Sequence, residues 1–158
     1  MDVRKRPDYK ILAMTNDHKI KDINLSESGK RRVDWARSRM PILRGIKNRL
    51  SVEQPFSNHL IGICLHVEAK TGVWIETLLS GGAKVAITGS PGTTQDDTAA
   101  YLVKEFGVKV FAWRSETVDE HMQNARRVLD KKPSIIADNG GDLHSILGEE
   151  AGYEALRE

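Results

Sequence analysis

The sequence predicts an α/β protein: a Rossmann-like, doubly wound parallel sheet of about four strands, preceded by a long kinked helix. Short apolar runs begin near residues 60, 84, 109 and 134. Their spacing of about 25 residues is the length that a strand and its crossover helix need. Amphipathic stretches with helical periodicity separate the runs, and this alternation indicates parallel strands. The right-handed crossover rule then favours a doubly wound layer.

The long helix comes before the first strand. Ser26 is the predicted N-cap, and apolar residues recur at helical spacing from Val33 to Leu50. Pro41 lies inside this stretch and should kink or divide the helix, because proline removes an intrahelical hydrogen bond. Residues 1–22 are polar and aperiodic, so we expect a loosely attached lead-in there and a folded domain over residues 23–158.

Two later helix starts have recognisable chemistry. Thr117 and Glu120 have the spacing of a capping box. The loop over residues 89–96 contains two glycines and offers Thr93 or Thr94 as the N-cap of the next helix. A helix N-terminus of this kind could hold an anion, but the loop has neither the P-loop ending nor the GxGxxG pattern.

Bulk composition excludes several classes of function. The 24 basic and 22 acidic residues give a net charge of +2, which provides no electrostatic case for nucleic acid or a membrane surface. A single cysteine, Cys64, excludes an internal disulfide and fits a reducing compartment. No apolar run approaches the roughly 20 residues of a membrane span, and no apolar stretch follows the basic N-terminus. We therefore expect a cytoplasmic protein.

Polar and glycine-rich segments follow the apolar strands. They are His66, Gly89–Gly92, Trp113-Arg114 and Asp138–Asp142. Since ligands of open α/β sheets bind beyond the carboxyl ends of the strands, these segments are the predicted site. No HxH, CxxC or HExxH spacing is present, so the sequence predicts no metal site.

Local chemistry alone leaves the role of each candidate open. His66 suits either a structural position or proton transfer near neutral pH. Glu68 and Lys70 form either an exposed charge pair or an acceptor and a donor that face a ligand. The turn from Asp138 to Asp142 has two central glycines, and tight-turn geometry by itself could explain them.

Several segments, in order and in spacing, resemble the adenosylhomocysteinase family over about residues 22–147. They are Asp22-Ile23 with Leu25, Arg39-Met-Pro-Ile-Leu43, Cys64-Leu-His-Val-Glu-Ala-Lys-Thr71 with Glu76-Thr-Leu78, Gly82-Ala-Lys-Val85, Thr94-Gln-Asp96, Val110-Phe-Ala-Trp113 with Glu116-Thr117, and Asp138-Asn-Gly-Gly-Asp-Leu143. The resemblance implies an NAD-dependent, redox-neutral hydrolase of the methyl cycle that splits S-adenosylhomocysteine. In that family NAD oxidises the ribose 3′-hydroxyl, homocysteine is eliminated, water adds, and the hydride returns. Full-length members are expected to be homo-oligomers.

The resemblance also implies roles for single residues. The implied substrate-binding residues are Leu65, His66, Glu68, Lys70, Thr71, Gln95 and Asn139. His66 matches the histidine near the 5′ end of the nucleoside, and Asn139 falls where the family has a catalytic aspartate. An amide cannot take a proton at neutral pH, so the acid/base role of that position is in doubt here.

Positions 68 and 70 bear on the choice of purine. Better-known family members have threonine and glutamate there, whereas this chain has Glu68 and Lys70. A lysine donor suits the O6 carbonyl of hypoxanthine, and a glutamate acceptor suits its N1–H. The sequence therefore predicts that S-inosylhomocysteine is accepted at least as well as S-adenosylhomocysteine. The alternative is that the two side chains pair with each other and leave the base alone.

The family resemblance also sets expectations about the whole protein. The chain ends before the family's Ser-Glu-Glu-Thr-Thr segment, which grips the ribose, and before its NAD-binding domain. We therefore expect a truncated piece of the enzyme that binds no NAD and is inactive alone. The alternative is a stand-alone nucleoside-binding or regulatory module without catalysis, and Asn139 favours that alternative.

Overall fold

The computed structural model describes residues 17–150, and the earlier part of the predicted lead-in lies outside the described residues. Six α-helices and four strands follow one another in that range. The elements are α1 (Ser26–Arg37), α2 (Pro41–Glu53), β1 (Leu60–Cys64), α3 (Ala69–Ser80), β2 (Lys84–Thr88), α4 (Asp96–Phe106), β3 (Lys109–Phe111), α5 (Val118–Leu129), β4 (Ile135–Asp138) and α6 (Asp142–Glu150). None of the helices in this range is long and apolar enough to span a bilayer.

The four strands form one parallel sheet in the order β3-β2-β1-β4, which confirms the predicted fold class. Strand β1 pairs with β2 from Leu60 to Cys64 and with β4 from Ile61 to Cys64. The chain moves outward from β1 through β2 to β3 and then returns to the other side of β1. The carboxyl ends of β1 and β4 therefore flank the topological switch point, where such sheets bind ligands.

Apolar residues cover both faces of the sheet. One face is packed around Ile63 and Ile87 against α3 and α4, and the other around Phe111 against α5 and α6. Helix α1 lies on top of α3 and α4 and forms a third apolar cluster with them. Gly29 permits this close approach, because a Cβ there would lie 1.9 Å from the carbonyl oxygen of Asp97. Any larger residue at position 29 would push α1 away from α4.

The long N-terminal helix is divided, as Pro41 predicts. Helix α1 ends at Arg37, and Pro41 occupies the first turn of α2, where it needs no hydrogen-bond partner. The prediction that Ser26 caps α1 is wrong. Asp22 accepts the Asn24 N–H at 2.9 Å and opens a short 3₁₀ turn that leads directly into α1, so helical backbone already precedes Ser26. The Ser26 hydroxyl is buried and has no hydrogen-bond partner.

The other capping predictions had different outcomes. The capping box is confirmed, since Thr117 Oγ1 accepts the Glu120 N–H at 3.2 Å and the Glu120 carboxylate accepts the Thr117 N–H at 2.9 Å. The prediction that Thr93 or Thr94 caps α4 is wrong. Thr93 donates its hydroxyl to the Ser90 carbonyl, and α4 begins after Gln95 without a side-chain cap. The Gln95 N–H instead donates to the carbonyl of Val67 at 2.8 Å, which ties this loop to the end of β1.

The described end of the lead-in is attached to the sheet. The Lys19 N–H donates to the Val110 carbonyl at 2.8 Å, and the Ala112 N–H donates to the Lys19 carbonyl at 3.0 Å. Lys19 and Phe111 form an isolated parallel bridge. This contact satisfies backbone groups of β3 at the sheet edge, where unpaired groups would otherwise be exposed.

A buried carboxylate holds the four helices on one side of the sheet together. Glu76 of α3 has a side chain only 3% exposed and accepts two hydrogen bonds from Arg37 of α1, at 2.6 and 3.0 Å. Tyr101 of α4 donates its hydroxyl to the same carboxylate at 3.0 Å, and Lys47 of α2 lies 3.5 Å away. The Glu76 carboxylate holds the pKa of Arg37 above its usual range. Burial, helped by the charge of Glu76, raises the pKa of Tyr101 to about 12.

We expect Glu76→Gln to lower the free energy of unfolding by about 2–3 kcal/mol, because removing one member of a buried ion pair leaves its partners uncompensated. The matched control is Glu53→Gln. Glu53 forms an exposed pair with Arg49 at 3.7 Å, and its loss should change stability by less than about 0.5 kcal/mol. Urea unfolding followed by circular dichroism measures both effects. Equal losses in the two variants would contradict the role given to Glu76.

A second buried carboxylate shapes the turn after β4. The Asp138 side chain is 0% exposed and accepts backbone N–H groups from Gly140, Gly141, Leu143 and His144, at 2.8 to 3.2 Å. The imidazole of His144 lies 3.1 Å from the same carboxylate. Burial alone would raise the pKa of Asp138, but these hydrogen bonds outweigh it and hold the pKa below its ordinary value. Asp138 is therefore a capping residue for the start of α6.

We expect Asp138→Asn to destabilise the chain by about 2 kcal/mol at neutral pH, because an amide cannot accept this set of donors. The native pKa of Asp138 is depressed, so its contribution is present above the unfolded-state pKa and is lost as pH falls through the native pKa. The stability difference between wild type and variant should therefore shrink in acid. Urea unfolding over a pH series measures this difference, with the exposed Asp130→Asn as control. A difference independent of pH would refute the assignment.

Candidate functional site

The structure brings His66 and Asn139 to the same edge of the sheet. Asn139 directly follows β4, and its N–H donates to the Cys64 carbonyl at 3.2 Å, which extends the pairing of β1 and β4 by one residue. His66 follows the end of β1 by two residues, after the half-buried Leu65. The side chains of His66 and Asn139 are both exposed. An imidazole and an amide are therefore available to a ligand at the switch point.

The segment after His66 turns sharply into α3. The Glu68 N–H donates to the His66 carbonyl at 3.0 Å, and Glu68 precedes α3 without using its side chain as a cap. The Glu68 carboxylate is thus not committed to the helix backbone. Thr71 lies one turn further along and is buried, so its side chain faces the protein interior.

Glu68 and Lys70 lie at the mouth of an open cleft of about 360 Å³. The cleft is lined by Arg32, Trp35, Ala36, Glu68, Ala69, Lys70 and Gln95. The Lys70 ammonium lies 3.4 Å from the Glu68 carboxylate, and the two side chains are 69% and 34% exposed. The two residues thus form an ion pair, as one of the two sequence interpretations predicts. An exposed pair of this kind is worth at most about 1 kcal/mol, so a ligand could open it at little cost.

Helix α1 provides one wall of this cleft, and no sequence pattern predicted that position for it. Trp35 is 62% exposed, and the Arg39 guanidinium covers its ring at 4.1 Å from the centroid. Arg32 is held by Asp97 at 2.9 Å. The sequence feature that could have indicated this wall is a tryptophan among charged residues, on a helix face that is otherwise polar. Gln95 also lines the cleft, and its carbonyl oxygen accepts a hydrogen bond from the Thr98 hydroxyl at 3.3 Å.

The segments that follow β2 and β3 at this edge of the sheet make mainly structural contacts. Gly92 donates its N–H to the Arg114 carbonyl at 3.1 Å, and Asp96 accepts the Arg114 N–H at 2.8 Å. Gly89 is buried, and a Cβ there would lie 2.3 Å from Thr94 Oγ1. The Lys19 ammonium stacks on the Trp113 ring at 4.4 Å. The loops after β2 and β3 are therefore packed against each other.

A buried polar cluster lies on the other side of β1, between the sheet and α5 and α6. His121 Nε2 is 3.1 Å from Asp142 Oδ2, and the Cys64 sulfur is 3.7 Å from the same oxygen. Burial, with the negative charges of Asp138 and Asp142 adding to it, raises the pKa of the Cys64 thiol to about 12. Burial also raises the pKa of Glu116, which lies beside His121. Sequence reasoning missed this cluster, because its members are far apart in the chain.

Comparison with known proteins identifies the family. The family model for S-adenosyl-L-homocysteine hydrolase matches residues 17–157. An S-inosyl-L-homocysteine hydrolase of Methanocaldococcus jannaschii is 49% identical over 131 residues, which cover 82% of this chain and 31% of that protein. An adenosylhomocysteinase of Sulfolobus acidocaldarius is 44% identical, over 84% of this chain and 32% of its own length. One from Aquifex aeolicus is 44% identical, over 88% of this chain and 33% of its own length.

The chain thus spans about a third of the length of these curated relatives. Their names include both an inosyl and an adenosyl substrate, so the comparisons do not choose between the two bases. The match covers every helix and strand described above, together with His66, Gln95 and Asn139. This chain belongs to the S-adenosyl-L-homocysteine hydrolase family.

Proposed function

We propose that this chain is the N-terminal substrate-binding part of a hydrolase that splits a purine nucleosidyl-homocysteine, with S-inosylhomocysteine accepted at least as well as S-adenosylhomocysteine. The observation that carries the proposal is the position of His66 and Asn139 at the β1–β4 switch point. Glu68 and Lys70, which line the cleft, follow His66 by two and four residues. The exposed His66 imidazole would act near the 5′ end of the nucleoside, where the thioether is cleaved. Its neutral form can accept a proton and its protonated form can donate one.

The described residues do not fit a dinucleotide. The glycine-containing loop after β2 is filled by Thr94 and held against the loop after β3, so no open backbone cradle faces a pyrophosphate. We therefore propose that NAD is bound by the rest of a full-length protein. The same proposal includes homo-oligomeric assembly and a cytoplasmic location for the full-length enzyme, and no turnover by the 158-residue chain alone.

The charges at the cleft mouth support a preference for hypoxanthine. Lys70 offers donors only, which match the O6 carbonyl of hypoxanthine and oppose the N6 amine of adenine. Glu68 offers acceptors, which match the N1–H that hypoxanthine has and adenine lacks. A mismatched polar pair that becomes buried costs about 1–3 kcal/mol, enough to change relative rates tenfold or more. The exposed ion pair between the two residues is weak enough to open for this exchange.

We expect the full-length protein to show a kcat/KM for S-inosylhomocysteine at least equal to that for S-adenosylhomocysteine. Lys70→Glu should shift the ratio toward adenine by about tenfold or more, because a carboxylate accepts from the N6 amine. Lys84→Glu is the matched control: Lys84 is exposed at the opposite, amino edge of the sheet, and its reversal should leave the ratio unchanged. A tenfold adenine preference that Lys70→Glu does not alter would eliminate the base-reading role.

Asn139 favours a second candidate function, a nucleoside-binding module without catalysis. The amide occupies the position of the family's catalytic aspartate and cannot accept a proton at neutral pH. A full-length protein that binds the nucleoside by calorimetry and shows no turnover would establish this alternative. Turnover by the full-length protein would exclude it.

If the full-length protein is an enzyme, we expect Asn139→Asp to raise kcat, because the carboxylate restores a proton acceptor at the switch point. Asn139 is exposed and the substitution is isosteric, so the fold should tolerate it. The same change at the exposed Asn48 in α2 is the control and should leave kcat unchanged. An unchanged or lower kcat for Asn139→Asp would show that the amide itself serves the reaction.

A further inference from the structure

We propose that Cys64, His121 and Asp142 bind a zinc ion. Their ligand atoms all lie within 4.8 Å of one another, although the residues come from the end of β1, from α5 and from the start of α6. Cys64 is 2% exposed and His121 is 4% exposed, so two of the three ligands are buried, and the Asp142 side chain, 39% exposed, is the one at the surface. This cluster uses neither His66 nor Asn139 and does not depend on the proposed function.

Two of the three distances between ligand atoms match tetrahedral zinc geometry. With Zn–N and Zn–O near 2.0 Å and Zn–S near 2.3 Å, tetrahedral ligands place N and O about 3.3 Å apart and S and O about 3.5 Å apart. The observed distances are 3.1 Å from His121 Nε2 to Asp142 Oδ2 and 3.7 Å from Cys64 Sγ to that same oxygen. Both agree with this geometry to about 0.2 Å. These two distances leave room for a zinc ion among the three residues, whose ligand atoms all lie within 4.8 Å of one another.

Two buried atoms beside the cluster also support a bound zinc ion. His121 Nδ1 and Glu116 Oε1 are both buried, have no hydrogen-bond partner and lie 3.9 Å apart. The other Glu116 oxygen is fixed by the Asn124 side chain at 2.7 Å. A zinc-bound histidine usually donates its second ring N–H to a carboxylate, which orients the ring. Zinc on Nε2 would fix the proton on Nδ1, facing Glu116.

The alternative interpretation is an ion cluster in which a protonated His121 bridges Glu116 and Asp142. It explains the contact to Asp142, but 3.9 Å is too long for a hydrogen bond to Glu116. It also gives the Cys64 sulfur no role beyond two contacts of 3.7 Å. A thiolate, an imidazole and one carboxylate form a ligand set for zinc rather than for magnesium or calcium.

Three protein ligands leave the fourth zinc position for water. The Asp142 side chain is 39% exposed, so that position is accessible from the solvent side. Zinc would tie β1 to α5 and to the start of α6. It would thereby hold the α6 end of the turn that carries Asn139 against β1.

The test is cobalt substitution in the untagged full-length protein, because cobalt reports its ligands by absorption. We expect the protein to bind about one equivalent of Co²⁺. The bound Co²⁺ should give visible absorption bands with the intensity of a tetrahedral site and a thiolate charge-transfer band in the near ultraviolet. Added Zn²⁺ should displace the Co²⁺ and remove these bands. Cys64→Ser should abolish the charge-transfer band, and His121→Gln should weaken Co²⁺ binding at least tenfold. His144→Gln is the control, since His144 contacts Asp138 outside the three-ligand set and its loss should leave the spectrum unchanged.

Thermal unfolding gives an independent readout. Zn²⁺ should raise the Tm of the wild type and of His144→Gln but not of Cys64→Ser or Asp142→Asn. The two variants replace different ligands, so misfolding of one still leaves the other to test the site. A wild-type protein without stoichiometric cobalt binding, or a charge-transfer band that persists in Cys64→Ser, would overturn the proposal.

Discussion

The central position of β1 in a parallel sheet is the constraint on which the rest of the structure depends. Because β1 pairs with β2 on one side and β4 on the other, the carboxyl ends of all three strands meet at one edge. The same pairing places Cys64 opposite Asp138, so the segments that follow them start side by side. One strand thus positions both the exposed residues of the switch point and the buried cluster behind them.

Two neighbouring residues at the end of β4 have different roles. Asp138 is buried and its carboxylate accepts backbone N–H groups of the turn, while Asn139 is exposed and faces the switch point. A rigid turn is what a site of this kind needs, because a displacement of about 1 Å in a reacting group can cost a hundredfold in rate. Asp138 therefore serves the geometry of the turn, while Asn139 keeps its side chain exposed.

The ionic contacts of the molecule divide into fixed and adaptable groups. Glu76 is buried and joins four helices through its partners Arg37, Lys47 and Tyr101, so its loss is costly. Glu68 and Lys70 lie at the surface and form a weak ion pair. Their contact can therefore open, and each side chain can contact a ligand instead. This difference combines an adjustable ion pair at the cleft mouth with a rigid helical support.

The sequence by itself determined the elements, because periodicity, proline and strand spacing act over a few residues. It predicted four parallel strands, the break at Pro41 and the capping box at Thr117, and its motifs identified the family. The predicted caps, Ser26 for α1 and Thr93 or Thr94 for α4, were wrong, since the turns before these helices depend on contacts made elsewhere in the chain. Only the tertiary structure decided the strand order, the α1 wall of the cleft and the meeting of Cys64, His121 and Asp142. Those features join residues tens of positions apart, and packing rather than local propensity brings them together.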